Sequence, residues 1–116
     1  MFVVDDDEWI HATLTMALED EGYRVVAASD GREALAHLDR HRPDVIVLDW
    51  MMPAMNGPIF AEELRRRGLR PGVPIIVLTA DGNARGKAER IGAEGYLAKP
   101  FELDTLLEQV HRLLLA

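Results

Sequence analysis

Asp44-Val45-Ile46-Val47-Leu48-Asp49-Trp50, near the middle of the chain, is the stretch that decides the fold. Its four consecutive apolar residues, three of them β-branched, are typical of a strand buried on both faces of a sheet. We expect Asp49 to be the first residue that leaves this strand. Because open α/β sheets bind ligands at the carboxyl ends of their strands, this position predicts a functional carboxylate.

Similar apolar runs lie on both sides of this stretch and alternate with segments of helical spacing. Strands are predicted over residues 2–5, 23–28, 45–48, 74–79 and 95–99. Helices are predicted over residues 10–21, between Asp30 and Pro43, and over residues 58–67, 81–92 and 103–114. Such strand–helix units with short connections imply a parallel sheet that carries helices on both faces.

The fourth of these helices has the weakest pattern. Gly82 and Gly86 each cost about 1 kcal/mol relative to Ala inside a helix. Its only large apolar residue is Ile91. We therefore expect this helix to order or shift easily.

The composition limits the class of function. A chain of 116 residues is the size of one domain, which we place over residues 1–116. The absence of Cys excludes disulfides and cysteine-based catalysis. The formal charge of −7 argues against nucleic acid as a direct partner. With no basic leader and no apolar run of membrane-spanning length, the sequence favours a cytoplasmic protein without a membrane partner.

Polar residues mark the ends of four predicted strands. Because parallel strands end at the same edge of a sheet, Asp5, Asp6, Asp49, Thr79 and Lys99 are expected to converge. Two carboxylates about 5 Å apart repel by roughly 3 kcal/mol at an effective dielectric constant of ~20, so the cluster favours a bound cation. Oxygen ligands select a hard ion such as Mg²⁺.

These residues lie in motifs whose order and spacing resemble the receiver domain of two-component response regulators. The motifs are Val3-Val4-Asp5-Asp6, Leu48-Asp49-Trp50-Met51-Met52-Pro53 with Asn56-Gly57, Val77-Leu78-Thr79-Ala80, and Gly92-Ala93 with Tyr96-Leu97-Ala98-Lys99-Pro100-Phe101. Each is weak alone, but together they cover essentially the whole chain. The resemblance implies a flavodoxin-like (βα)5 doubly wound sandwich with a five-stranded parallel sheet in the order 2-1-3-4-5.

The resemblance implies that Asp49 is the phosphoacceptor and that Mg²⁺ is the cofactor. Asp6 and Asp49 would bind the ion directly, together with the backbone carbonyl of Met51. Asp5 would act mainly through water. Phosphoryl transfer suits such a site because it is catalysed mostly by positioning and by neutralising charge.

Further residues receive roles from the same resemblance. Thr79 and Lys99 would contact the phosphoryl group. Thr79 would move toward it as the switch residue, while Tyr96 changes rotamer. The Lys99–Pro100 peptide bond would be a candidate for the cis form.

Two departures from the usual pattern bear on how long the phosphoryl group survives. Met51, two residues after the acceptor, has an apolar side chain that cannot orient a water by hydrogen bonding. We therefore expect a longer-lived phosphoryl state than in relatives with a polar residue there. Asp81, two residues after Thr79, adds negative charge and is a second candidate modulator.

The favoured function is a signalling switch that catalyses only its own phosphorylation and dephosphorylation. A sensor histidine kinase or histidine phosphotransfer protein would supply the phosphoryl group. The helix 4/strand 5/helix 5 face would meet a downstream effector or output domain, and a homodimer is possible. Two alternatives stay open: a pseudo-receiver that binds partners without phosphorylation, and a Mg²⁺-dependent phosphohydrolase. The second lacks the Asp-x-Asp signature because Met51 occupies its second position.

Overall fold

The fold is described from a computed structural model that covers residues 1–52 and 55–115. Its elements are, in chain order, β1 (Phe2–Val4), α1 (Glu8–Asp20), β2 (Val26–Ala28), α2 (Gly31–Leu38), β3 (Ile46–Asp49), α3 (Gly57–Arg66), β4 (Ile75–Thr79), α4 (Ala84–Ile91), β5 (Gly95–Ala98) and α5 (Leu103–Leu115). Pro53 and Ala54 of the predicted loop, and the terminal Ala116, lie outside the described residues.

All strands pair in parallel, in the order β2-β1-β3-β4-β5. The central strand β3 lies between β1 and β4, with Leu48 opposite Val4 and Asp49 opposite Leu78. This register brings the residues that follow Val4 next to the end of β3. The predicted flavodoxin-like (βα)5 sandwich is confirmed.

Burial on both faces explains the apolar run of β3. Ile46 and Leu48 join the core beneath α2, α3 and α4, where Phe60 and Leu64 are also fully buried. Val45 and Val47 join the opposite core, which includes these residues of α1 and α5: Ile10, Leu14, Leu18, Leu106 and Val110. Asp49 is still part of the strand, so the expectation that it is the first residue outside was wrong by one position.

The three aspartates before α1, Asp5 to Asp7, do not have the same role. Asp7 is the N-cap, and its carboxylate accepts hydrogen bonds from the backbone N–H groups of Trp9 and Ile10 at 2.9 and 3.3 Å. Its neighbour Asp6 is exposed and does not cap the helix in the described structure. Asp5 and Asp6 are therefore left to the carboxyl edge of the sheet.

The loop before α4 corrects the predicted start of that helix. Gly82 and Asn83 have positive φ angles of 84° and 52°, so a right-handed helix cannot begin before Ala84. Gly82 is thus a loop residue and costs α4 nothing. Gly86 does lie inside α4. A Cβ at this position would lie only 2.5 Å from Nδ2 of Asn83, so the Asn83 side chain occupies the space that a larger residue would need.

β2 is shorter than the predicted strand and begins at Val26. It is an edge strand that pairs only with β1 among the described elements. Because β1 offers three partners, from Phe2 to Val4, pairing is limited to three residues of β2. Tyr23 and Val25 instead pack partly buried against the core that contains α1 and α5.

Candidate functional site

Three carboxylates meet at the carboxyl edge of the sheet. Asp5 is fully buried, Asp49 is 5% exposed and Asp6 is exposed. One carboxylate oxygen from each lies within 4.8 Å of the others. An all-oxygen set of this size fits a hard divalent cation such as Mg²⁺, which keeps water or phosphate oxygens in its remaining positions.

Lys99 contacts both buried carboxylates, Asp5 and Asp49. Its Nζ is 2.9 Å from Asp5 Oδ2 and 3.4 Å from Asp49 Oδ1. A backbone hydrogen bond from the Lys99 N–H to the Thr79 carbonyl, 2.8 Å long, holds the residue at the end of β5. The Lys99–Pro100 peptide bond is cis. Burial lowers the pKa of Lys99, but its hydrogen bond to Asp5 and the charge of Asp49 outweigh it, so the pKa is raised.

Asp49 is held in an environment that disfavours its charge. Burial raises its pKa to about 6 from 3.8, and repulsion by Asp5 and, less strongly, Asp6 adds to the effect. The nearby Lys99 ammonium opposes the shift without cancelling it. Asp49 is therefore mostly ionised at pH 7, yet its negative charge is poorly compensated. A cation between Asp49 and Asp6 would relieve that repulsion.

Thr79 reaches the same edge, but its hydroxyl bonds elsewhere. The residue is 1% exposed. Its hydroxyl donates to Asp81 Oδ1 at 2.6 Å and accepts from Lys87 Nζ at 2.9 Å. Thr79 does not cap α4, whose N-cap is Asn83. Within the described residues, neither Asp49 nor Lys99 bonds this hydroxyl.

Lys87 is the site residue that sequence reasoning missed. It lies on α4, its side chain is 16% exposed, and it also pairs with Asp81. One signal was present in the sequence: of thirteen basic residues only Lys87 and Lys99 are lysines. Both of them lie at this edge of the sheet.

The remaining predicted residues, Met51, Asp81 and Tyr96, are exposed to solvent. Met51 follows β3 and is 64% exposed, and Asp81 is also exposed. Tyr96 is 42% exposed on β5, opposite Val77 of β4. The structure thus brings Asp5, Asp6, Asp49 and Lys99 together.

Comparison with known proteins identifies the family of the chain. The family model of the response regulator receiver domain matches residues 1–111. The chain belongs to this family. It is therefore a receiver domain of the kind found in response regulators, consistent with two-component signalling.

Individual relatives extend the comparison. The chain is 41% identical over 116 residues to the response regulator MprA of Mycolicibacterium vanbaalenii, covering 98% of this chain and 49% of that protein. It is 35% identical to the phosphate regulon transcriptional regulatory protein PhoB of Pseudomonas aeruginosa, covering 98% and 51%. A putative response regulator from Chloroflexus aurantiacus superimposes with a TM-score of 0.89 at 34% identity, covering 99% and 96%. The chain spans about half the length of the curated relatives it matches.

No helix within residues 1–52 and 55–115 combines the length and apolar character needed to cross a membrane.

Proposed function

We propose that this receiver domain, over residues 1–116, is a switch that is phosphorylated on Asp49. The observation that carries the proposal is the environment of the Asp49 carboxylate. It clusters with the carboxylates of Asp5 and Asp6, and the Lys99 ammonium lies 3.4 Å from it. A nucleophile set between an oxygen cluster and a cation matches the charge that a phosphoryl group develops during transfer.

The chemistry is an in-line displacement at phosphorus. An oxygen of Asp49 forms a bond to phosphorus while the phosphorus–nitrogen bond of a phosphohistidine breaks. The electron pair of that bond leaves with the imidazole, which takes up a proton. Lys99 contributes positive charge to the phosphoryl oxygens as a compact ammonium. The expected donor is a sensor histidine kinase or a histidine phosphotransfer protein in the cytoplasm, and an acyl phosphate would be a small substitute.

The oxygen cluster supports a role for Mg²⁺. Asp6 and Asp49 would bind the ion, with the backbone carbonyl of Met51 as a third protein ligand and Asp5 acting through water. When bound, the ion supplies charge neutralisation for the phosphoryl oxygens. Asp5 also remains bonded to Lys99 and to the backbone N–H of Asp7, at 2.9 Å in each case. Those two hydrogen bonds hold the Asp5 carboxylate in a fixed position.

The expected output is a rearrangement of the α4, β5 and α5 face. Thr79 would leave its present partners and donate to a phosphoryl oxygen, and the exposed Tyr96 would move in step. An effector, an output domain or a second copy of the chain would then bind this face. Relatives twice as long as the chain fit a receiver joined to an output domain.

Incubation with acetyl phosphate and Mg²⁺, followed by intact-mass measurement, tests the proposal. The expected result is a gain of one phosphoryl group that is removed by hydroxylamine, as an acyl phosphate should be. A protein that takes no phosphoryl group from acetyl phosphate or from a cognate kinase would instead be a pseudo-receiver. Rapid turnover of many phosphate esters would indicate a phosphohydrolase.

Met51 is expected to lengthen the life of the phosphoryl group. Its side chain is exposed two residues after Asp49 and offers no strong hydrogen bond to an attacking water. In Met51→Asn the amide should orient that water by a hydrogen bond. One such bond at the transition state should speed the loss of the phosphoryl group on the order of tenfold. The measurement is the decay of the phosphorylated protein after the donor is removed. Met16→Asn is the matched control, because Met16 is also exposed but lies on α1. The phosphorylated form of this variant should decay at the wild-type rate.

A further inference from the structure

The Thr79 hydroxyl already uses its one proton in a hydrogen bond to Asp81. A hydroxyl has one proton, and that proton is donated to Asp81 at 2.6 Å. The Lys87 ammonium donates to the oxygen at 2.9 Å. Thr79 therefore cannot donate to a phosphoryl group on Asp49 until its bond to Asp81 is broken.

The two partners are themselves held in place. Lys87 pairs with Asp81, so the ammonium, the carboxylate and the hydroxyl form a closed set of three bonds. The Lys87 Nζ also lies 5.9 Å from the centroid of the Trp50 ring, near the outer limit of a cation–π contact. Trp50 is buried and directly follows Asp49. Lys87 therefore links the switch hydroxyl to the residue after the acceptor.

The loop between β4 and α4 makes this set possible. The consecutive positive φ angles at Gly82 and Asn83 turn the chain so that α4 begins at Ala84 and presents Lys87, eight residues after Thr79, to the hydroxyl. A left-handed conformation is tolerated by Asn but disfavoured for most other residues. The loop thus has the composition needed to hold Asp81 and Lys87 on the same side of Thr79.

We propose that Lys87 and Asp81 form a latch that holds the Thr79 hydroxyl away from Asp49 and opposes phosphorylation. Lys87 is a positioning residue in this scheme, because it acts through Thr79 and does not touch the acceptor. The latch rests on the proposed function, since it regulates the same site. Opening it frees the ammonium on α4, which couples the state of Asp49 to the output face.

Lys87→Met tests the latch because methionine keeps a long unbranched side chain and cannot donate a hydrogen bond. In the unphosphorylated protein, the NMR signal of the Thr79 methyl group should shift. With acetyl phosphate and Mg²⁺, the rate of phosphorylation should rise about fivefold, as expected when one hydrogen bond that favours the closed state is lost. Asp81→Ala removes the other side of the latch and should change both readouts in the same direction.

Arg85→Met is the matched control. Arg85 lies on the same helix, forms an exposed ion pair with Glu89, and its loss changes the net charge by the same amount. It should leave the Thr79 signal and the phosphorylation rate at wild-type values. A general charge effect would move the control and Lys87→Met alike, and that result would overturn the latch.

The two proposals fail in different ways. If the wild-type protein takes no phosphoryl group, the proposed function fails, and the latch is then judged by the Thr79 signal alone. An unchanged Thr79 signal in Lys87→Met overturns the latch even when phosphorylation of the wild type is normal. A shifted signal with an unchanged rate overturns the claim that the latch opposes phosphorylation.

Discussion

Asp49→Asn should abolish the hydroxylamine-labile phosphoryl adduct completely, whether the donor is acetyl phosphate or a cognate kinase. The substitution keeps the shape of the side chain but replaces the nucleophilic carboxylate with a neutral amide. It also removes one of the three acidic groups that lie within 4.8 Å of one another. Intact mass, compared before and after hydroxylamine, reports the adduct directly.

Asp44→Asn is the matched control for this change. Asp44 precedes the same strand at its amino end and is exposed. Asp44→Asn is therefore the same chemical change at the opposite end of the strand from the acidic cluster. It should be phosphorylated at the wild-type rate. A full adduct in Asp49→Asn would show that another carboxylate is the acceptor, and peptide mapping would identify it.

The position of the acidic cluster could be predicted from the sequence because it depends on topology alone. The apolar runs before Asp5 and Asp49 indicate buried strands, and parallel strands must end at one edge. Once the order of the strands follows from the family resemblance, neighbouring strand ends give neighbouring side chains. Lys99 follows from the same rule at the end of β5, and its contact with Asp5 at 2.9 Å joins residues 94 apart in sequence.

Lys87 could not be found in this way because its contact depends on the geometry of a loop. The predicted helix began at Asp81, whereas the observed α4 begins at Ala84. Two left-handed residues, Gly82 and Asn83, shift the helix start to Ala84. Gly and Asn both tolerate such angles, but the helical pattern of the sequence does not show that these two residues adopt them.

Mg²⁺ should raise the unfolding temperature of the wild-type protein, because only the folded chain brings Asp5, Asp6 and Asp49 together. At ten times its dissociation constant the ion stabilises the folded state by about 1.4 kcal/mol, from mass action. For a domain of this size that is a shift of roughly 5 °C. Thermal melts in excess Mg²⁺ and in a chelator measure it, and Asp49→Asn should reduce the shift.

The response to Mg²⁺ should depend on pH in a direction set by Asp49. Its folded-state pKa is raised to about 6 from 3.8 by burial and by its acidic neighbours. Above pH 6 the carboxylate is ionised in both the folded and the unfolded chain, and the folded state carries the full cost of that charge. As pH falls from 6 to 4 the folded state binds a proton before the unfolded state does, so the metal-free protein regains this stability. The same proton competes with Mg²⁺, so the thermal shift should be largest near pH 8 and fade below pH 6.

Asp49→Asn separates this effect from the titration of the rest of the chain. Without metal, the variant should be more stable than wild type near pH 8 by about 1–2 kcal/mol, a value reduced for screening by solvent. Near pH 4 the folded carboxyl is protonated and only the unfolded one, with its ordinary pKa of 3.8, is still partly ionised, so most of the difference should be gone. A stability difference that is the same at pH 4 and pH 8 would mean that Asp49 carries no penalty for its charge. Such a result would remove the electrostatic reason for the acidic cluster to bind a cation.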